Sequence, residues 1–303
     1  MLLQIFKSMN PADDPVTYAI PFFLITIAIE LYINWKEKLN LYEPKDALAS
    51  IGMGLGSLVI DIGMKGLAYG TYTYLYEHYS LFQLGWHWWV WVLILFADDF
   101  TFYWHHRLSH EIRILWAAHV NHHSSQTMNL ATALRQSWGE QLYKFFWWLW
   151  MPLLGFHPLM MMMMMSFSLI YQYWVHTELI KKLPRWFEFI FNTPSHHRVH
   201  HASNLRYLDQ NHAGILIIWD RLLGTFAEED PKEKPIYGIT KNIHTYNLFK
   251  IASHEYVDIW HDVQRAPGLL NKLKYIFMPP GWSHQGPDLR AKTLRKQLQE
   301  AKK

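Results

Sequence analysis

Histidine makes up six of the nineteen residues from His105 to His123. On a helix, His106 and His110 lie one turn apart on one face, and His119, His122 and His123 form a second set at i, i+3 and i+4. His197, His200 and His201 repeat the second spacing far along the chain, with His196 beside them. Imidazole suits iron, zinc, copper and nickel, so ligand type alone does not name the metal. Eight or more imidazoles exceed what one ion takes, so the pattern predicts two metal ions held between two separate segments. A closed structural zinc site uses four ligands, usually with cysteine. This chain has no cysteine, which excludes disulfides, thiolate metal sites and cysteine nucleophiles. Burying so many imidazoles without metal would leave many polar atoms without partners.

Apolar helices must carry these groups. Half of the 303 residues are hydrophobic, and they concentrate before residue 105 and between 140 and 176, whereas the last hundred are polar and mixed. The layout predicts an all-α protein: an integral membrane helical bundle of about four to five apolar helices, with a cytosolic helical cap holding a histidine-rich di-metal site. Three regions follow, with membrane helices over 1–104, a catalytic region over 105–250 that includes a membrane hairpin at 140–176, and cytosolic helices and a tail over 251–303. A mean hydropathy of −0.09 argues mildly the other way. The 16 Trp, 17 Tyr and 19 His depress that index, and Trp and Tyr are enriched at membrane interfaces. A net charge of +3 with both signs interspersed and no basic stripe excludes a nucleic-acid partner. Met1 to Pro15 carries Asp13 and Asp14 and no small-residue cleavage site, so no removable signal peptide is expected.

In chain order, 16–34, 47–75 and 84–104 read as apolar helices. The second is rich in glycine, and Asp61 and Lys65 inside it are spaced to pair on one face. Helices over 140–154 and 158–176 meet in a tight turn at Leu154 to His157. The six methionines from Met160 to Met165 read as ordinary apolar helix surface, with a lipid-tunnel lining as the other reading. Lys36, Lys38 and Lys45, and later Lys181, Lys182 and Arg185, are the basic clusters that usually mark cytoplasmic loops. They put the loop at 36–45, the histidines and the tail after 177 on one side, with the active site facing the cytoplasm of a bacterial inner membrane or the endoplasmic reticulum. Asp99, Tyr103, His106 and His110 follow a 4-3-4 stripe. Asp99 is therefore expected to hold an imidazole N–H, with Tyr103 beside it as part of the same supporting layer. Gly214 to Phe226 is apolar enough to pack under the third cluster.

His106-x3-His110, His119-x2-His122-His123 and His197-x2-His200-His201 resemble the three histidine boxes of the fatty acid hydroxylase and sterol desaturase superfamily of membrane di-iron enzymes. Trp116 to Ser137, Tyr171 to Glu178, Asn192 to Ala202 and Ile217 to Phe226 are similar to its alkylglycerol monooxygenase-like branch, and the resemblance covers roughly residues 85–250. It implies a di-iron site built from all three boxes, with zinc a substitute in purified material. It adds His176 as a ligand, with His196 either a ligand or a support. His105 falls outside the box pattern, and His212 stands where the family often has tyrosine, which makes it a pocket-lining residue. Glu111, Arg135, Gln136 and Glu178 match the branch pattern as candidate catalytic residues that orient ligands or substrate. The implied reaction is oxygen insertion at the carbon next to the ether oxygen of a glyceryl ether lipid. Tetrahydrobiopterin is the implied reductant or, more generally, an external electron donor.

Two other functions compete with this one. A sterol or fatty acyl hydroxylase or desaturase would use the same metal site. A membrane metal transporter or sensor would place its ligands within the bilayer on crossing helices, whereas these boxes lie beyond the helix ends.

Overall fold

The computed structural model describes residues 14–301. The reading of the segment before Asp14 lies outside the described residues. Helix α1, Pro15–Glu37, starts where the Asp14 carboxylate accepts from the Val16 N–H at 2.9 Å, with proline in the first turn where no N–H is needed. It ends on Lys38 in the left-handed region (φ 53°). Helix α2, Pro44–Tyr79, is capped by Glu43 on the Asp46 N–H and runs 36 residues, about 54 Å at 1.5 Å per residue. Both are long and apolar enough to cross a membrane, and few of their residues are buried within the protein. Leu24 and Val59 are 62% and 73% exposed, which suits contact with lipid rather than a soluble core.

Lys65 pairs with Asp61 at 3.0 Å, as its spacing predicts, and also with Asp14 at 2.7 Å. Ser166 donates to the same Asp14. Lys65 stands 21 residues beyond Pro44, roughly 30 Å along the helix. That puts the charges near the end of the crossing opposite the α1–α2 turn.

Helices α3, Trp88–Glu111, and α4, Arg113–His123, are separate. Ile112 breaks them with extended backbone (φ −122°, ψ 118°), and the Arg113 N–H turns outward to the Met278 carbonyl. The first two histidine boxes thus sit on two helices meeting at a corner. The apolar stretch after the second box is not one helix. It divides into α5, Trp138–Gln141, a 3-10 segment Lys144–Trp148, and α6, Trp150–Leu154. Its run of bulky aromatic residues is weakly helical, and Pro152 supplies no backbone donor. Gly155 then turns with φ 103°, where a side chain would run into the Phe82 carbonyl.

Helix α7, Pro158–Trp174, closes the hairpin. Met160, Met161 and Met164 join Ile94, Val90, Tyr72, Trp148 and Met151 in the main apolar cluster, so these methionines are core. The Asp98 carboxylate within it accepts from Trp148 Nε1 at 2.7 Å.

Short helices α8, Arg185–Ile190, α9, Pro194–His200, and α10, Ile218–Leu223, follow, then the amphipathic α11, Leu248–Arg265, α12, Gly268–Phe277, and α13, Ala291–Glu300. Among the described residues the only β pairing is an isolated bridge between Ala202 and Tyr237. Two buried ties fix which end of the bundle carries the histidines. Glu30 near the end of α1 accepts from Tyr42 Oη at 2.5 Å, the Leu130 N–H at 2.7 Å and Thr177 Oγ1. Asp46 at the start of α2 accepts from Arg135 Nη1 at 3.2 Å and from Ser125. The histidines therefore gather at the α1–α2 turn end of the bundle.

Candidate metal centre

Nine imidazoles converge in two groups. The first is His106, His110, His119, His123 and His200, and the second is His122, His176, His197 and His201, each with its ligand nitrogens within 4.8 Å of one another. All are buried except His122, which is partly so. The ends of α3 and α4, the turn after α7, and α9 with the residue that follows it supply them. The groups abut, with the His123 and His201 rings stacked at 4.4 Å between centroids.

The hydrogen bonds on the far side of each ring fix where the protons are. His106 Nδ1 lies 2.7 Å from the His212 carbonyl, and His119 Nδ1 lies 3.1 Å from the Glu140 carboxylate. Both acceptors require an N–H, and a neutral imidazole has one. The remaining nitrogens, His106 Nε2 and His119 Nε2, are therefore bare lone pairs, yet they face each other at 3.0 Å. In the second group His176 Nδ1 donates to the Gln172 carbonyl at 2.8 Å and His122 Nδ1 to the Arg135 carbonyl at 3.2 Å. Their Nε2 atoms face each other at 3.1 Å, and His197 Nε2 lies 2.9 Å from His176 Nε2. Two nitrogens bound to one ion at about 2.1 Å and about 90° apart stand about 3.0 Å from each other. His110 Nε2 and His200 Nε2 are buried with no hydrogen-bond partner. Facing lone pairs and orphaned nitrogens are repulsive unless a cation lies between them, so the donor set fits metal.

Burial drives the His122, His123, His197, His200 and His201 rings well below the ordinary histidine pKa, and neighbouring imidazoles add to the effect. Neutral rings are the metal-competent form.

Several expected residues stand elsewhere. Asp99 does not hold an imidazole. Its carboxylate takes the Ile215 and Leu216 N–H groups at 2.7 and 2.9 Å and Trp219 Nε1 at 3.0 Å, pinning the Gly214–Phe226 segment under the site. The loop's donors occupy the Asp99 carboxylate. Tyr103 shares hydrogen bonds with Thr225 and Arg107. His196 lies outside both groups, with Nδ1 3.3 Å from Thr193 Oγ1 and its ring against Phe226, because it sits on the opposite face of α9 from its neighbours. His105 likewise points away, toward Trp147 and Trp148.

Arg135 is buried among Asp46, Ser50, Ser124 and the Asn121 carbonyl, and its own carbonyl takes His122. Glu111 pairs with Arg107 at 2.9 Å, and Gln136 donates to the Ala133 carbonyl. Glu178 lies beside Tyr237. His212 is fully buried 5.0 Å from the His110 ring, with both ring nitrogens unpartnered.

The spacing of the histidines did not point to Glu140 or Asp209. Asp209 Oδ1 lies 3.2 Å from His110 Nδ1. Glu140 sits three residues after Ser137, whose hydroxyl caps its N–H. The Ser-x-x-Glu pattern marks a helix start and hides the second role.

The family model described as fatty acid hydroxylase matches residues 91–225. That span holds all three boxes and His176. The chain is similar to alkylglycerol monooxygenases: it is 41% identical to that of Xenopus tropicalis over 287 residues and 41% identical to that of Homo sapiens over 290. Both alignments take in 94% of this chain and 63% of the relative, so the chain spans less than two thirds of their length. An ornithine lipid hydroxylase of Rhizobium tropici is 28% identical over 214 residues, 67% of this chain and 60% of that protein. No solved structure matches the chain.

Proposed function

We propose that the protein is an oxygen-dependent, membrane-bound di-iron lipid monooxygenase whose substrate is a glyceryl ether, hydroxylated at the carbon next to the ether oxygen. The observation that carries the metal reading is the facing pair of bare nitrogens, His106 Nε2 and His119 Nε2, repeated by His122 Nε2 and His176 Nε2. The relatives named alkylglycerol monooxygenase support the ether substrate. His106, His110, His119, His123 and His200 would hold one iron, and His122, His176, His197 and His201 the other. Bound iron would supply the activation of dioxygen. One oxygen atom enters the C–H bond and the other leaves as water, with two electrons and two protons from an external donor. Tetrahydrobiopterin is the donor proposed. The hemiacetal product breaks its C–O bond to give a fatty aldehyde and the free glycerol hydroxyl.

This chain's own residues keep the ligand rings neutral and aimed. The Gln172, Arg135, His212 and Gln210 carbonyls take the outward N–H groups, so each inner nitrogen keeps its lone pair. Lipid chains reach such a site from the bilayer, and the basic loops around it support a cytoplasmic orientation.

Incubating membranes with an alkylglycerol, oxygen and tetrahydrobiopterin tests the reading, and fatty aldehyde is the expected product. Hydroxylation of a lipid other than a glyceryl ether is the second reading, supported by the similarity to the ornithine lipid hydroxylase of Rhizobium tropici. A hydroxylated lipid product with no aldehyde would select it.

A further inference from the structure

The nine imidazoles are not supported alike from behind. In the four-histidine group, His176 and His122 rest on backbone carbonyls. In the five-histidine group, His106 and His200 do the same, on the carbonyls of His212 and Gln210. The other two outward nitrogens with partners face carboxylates: His119 Nδ1 faces Glu140 Oε2 at 3.1 Å, and His110 Nδ1 faces Asp209 Oδ1 at 3.2 Å.

We infer that Glu140 and Asp209 are positioning residues that make the five-histidine group the tighter and more electron-rich of the two metal positions. The inference rests on the two-ion reading above. A carbonyl offers a dipole to the imidazole N–H, whereas a carboxylate offers a full negative charge. That charge raises the basicity of the metal-facing nitrogen and stabilises a more highly charged ion.

Glu140 is the stronger of the two arms. Its side chain is buried, its N–H is capped by Ser137, and its second oxygen is turned toward His105 Nε2 at 3.5 Å and Lys144 Nζ at 3.8 Å. The oxygen facing His119 is thereby fixed in place. Asp209 is more open, with a side chain 30% exposed. Water competes there, so its contribution is smaller.

The test titrates the metal-free full chain, in nanodiscs and without oxygen, with ferrous iron-57, followed by metal analysis and Mössbauer spectroscopy. The wild type fills two positions in succession, with two resolved doublets. His176→Ala removes the later one and so assigns the spectra. Glu140→Gln, which keeps shape and an acceptor but loses the charge, weakens the first position about 10–100-fold and shifts its doublet alone. Asp209→Asn does the same to a smaller extent.

Glu140→Asp retains the charge and is expected to hold iron better than Glu140→Gln. A packing role predicts the reverse order, because Gln is the closer match in shape. Unchanged affinity and doublets in Glu140→Gln, a change confined to the position that His176→Ala removes, or Gln outperforming Asp would each overturn the inference. A wild type that takes up fewer than two ions would instead overturn the two-ion reading.

Discussion

His106 Nε2 and His119 Nε2 stand 3.0 Å apart, and each ring has already committed its single proton to an acceptor on its other side. One comes from the end of α3 and the other from α4 across the corner at Ile112. The fold has built a site that is electrostatically incomplete without a cation. The same relation recurs between His122 on α4 and His176 in the turn after α7.

Chelation should therefore destabilise the protein. At free iron a hundredfold above the dissociation constant, each bound ion adds about 2.7 kcal/mol. The melting temperature of the iron-loaded protein in detergent is expected to fall on treatment with a strong chelator and to return on reloading. An unchanged melting temperature would contradict the lone-pair argument.

His122→Ala and His196→Ala should behave in opposite ways, although both residues belong to dense histidine runs. His122 is one of four nitrogens in the second group, and its removal should abolish that ion and turnover. His196 faces Thr193 and Phe226, so its alanine variant should retain both ions. Metal analysis of the two purified variants reads the difference.

Arg135→Ala should act through stability. Its guanidinium meets Asp46, Ser50 and Ser124, and deletion leaves the Asp46 carboxylate buried without its cation. Breaking one side of a buried pair costs about 3–5 kcal/mol. A large drop in thermal stability in metal-loaded protein is expected, and wild-type stability with selective loss of turnover would favour a catalytic role instead.

Asp99→Ala should loosen the segment under the site and leave the ligands' protons where they are. It strips acceptors from the Ile215 and Leu216 N–H groups and from Trp219 Nε1, at about 1–3 kcal/mol for a buried group left unpaired. Thermal melting should report the loss, while the Mössbauer parameters of the iron-loaded variant stay at wild-type values. A shifted spectrum would mean that Asp99 acts on a ligand after all.

The boxes were legible because helical periodicity alone puts His119, His122 and His123 on one surface, and α9 repeats the spacing. Periodicity does not say which group a ring joins: His122 turns to the second group and its neighbour His123 to the first. The roles of Asp99 and Glu140 were not legible. Asp99 reaches residues 116 and more positions away, and Glu140 crosses 21 positions to His119, distances over which sequence spacing carries no geometry. The helix expected over 140–154 is broken for a local reason: apolarity does not by itself make a helix where bulky aromatics and Pro152 favour short turns.

Metal analysis of the purified, reconstituted protein tests the central claim most directly. Two irons per chain, both lost together with turnover on chelation, is the predicted result. A saturating stoichiometry below two per chain would contradict it.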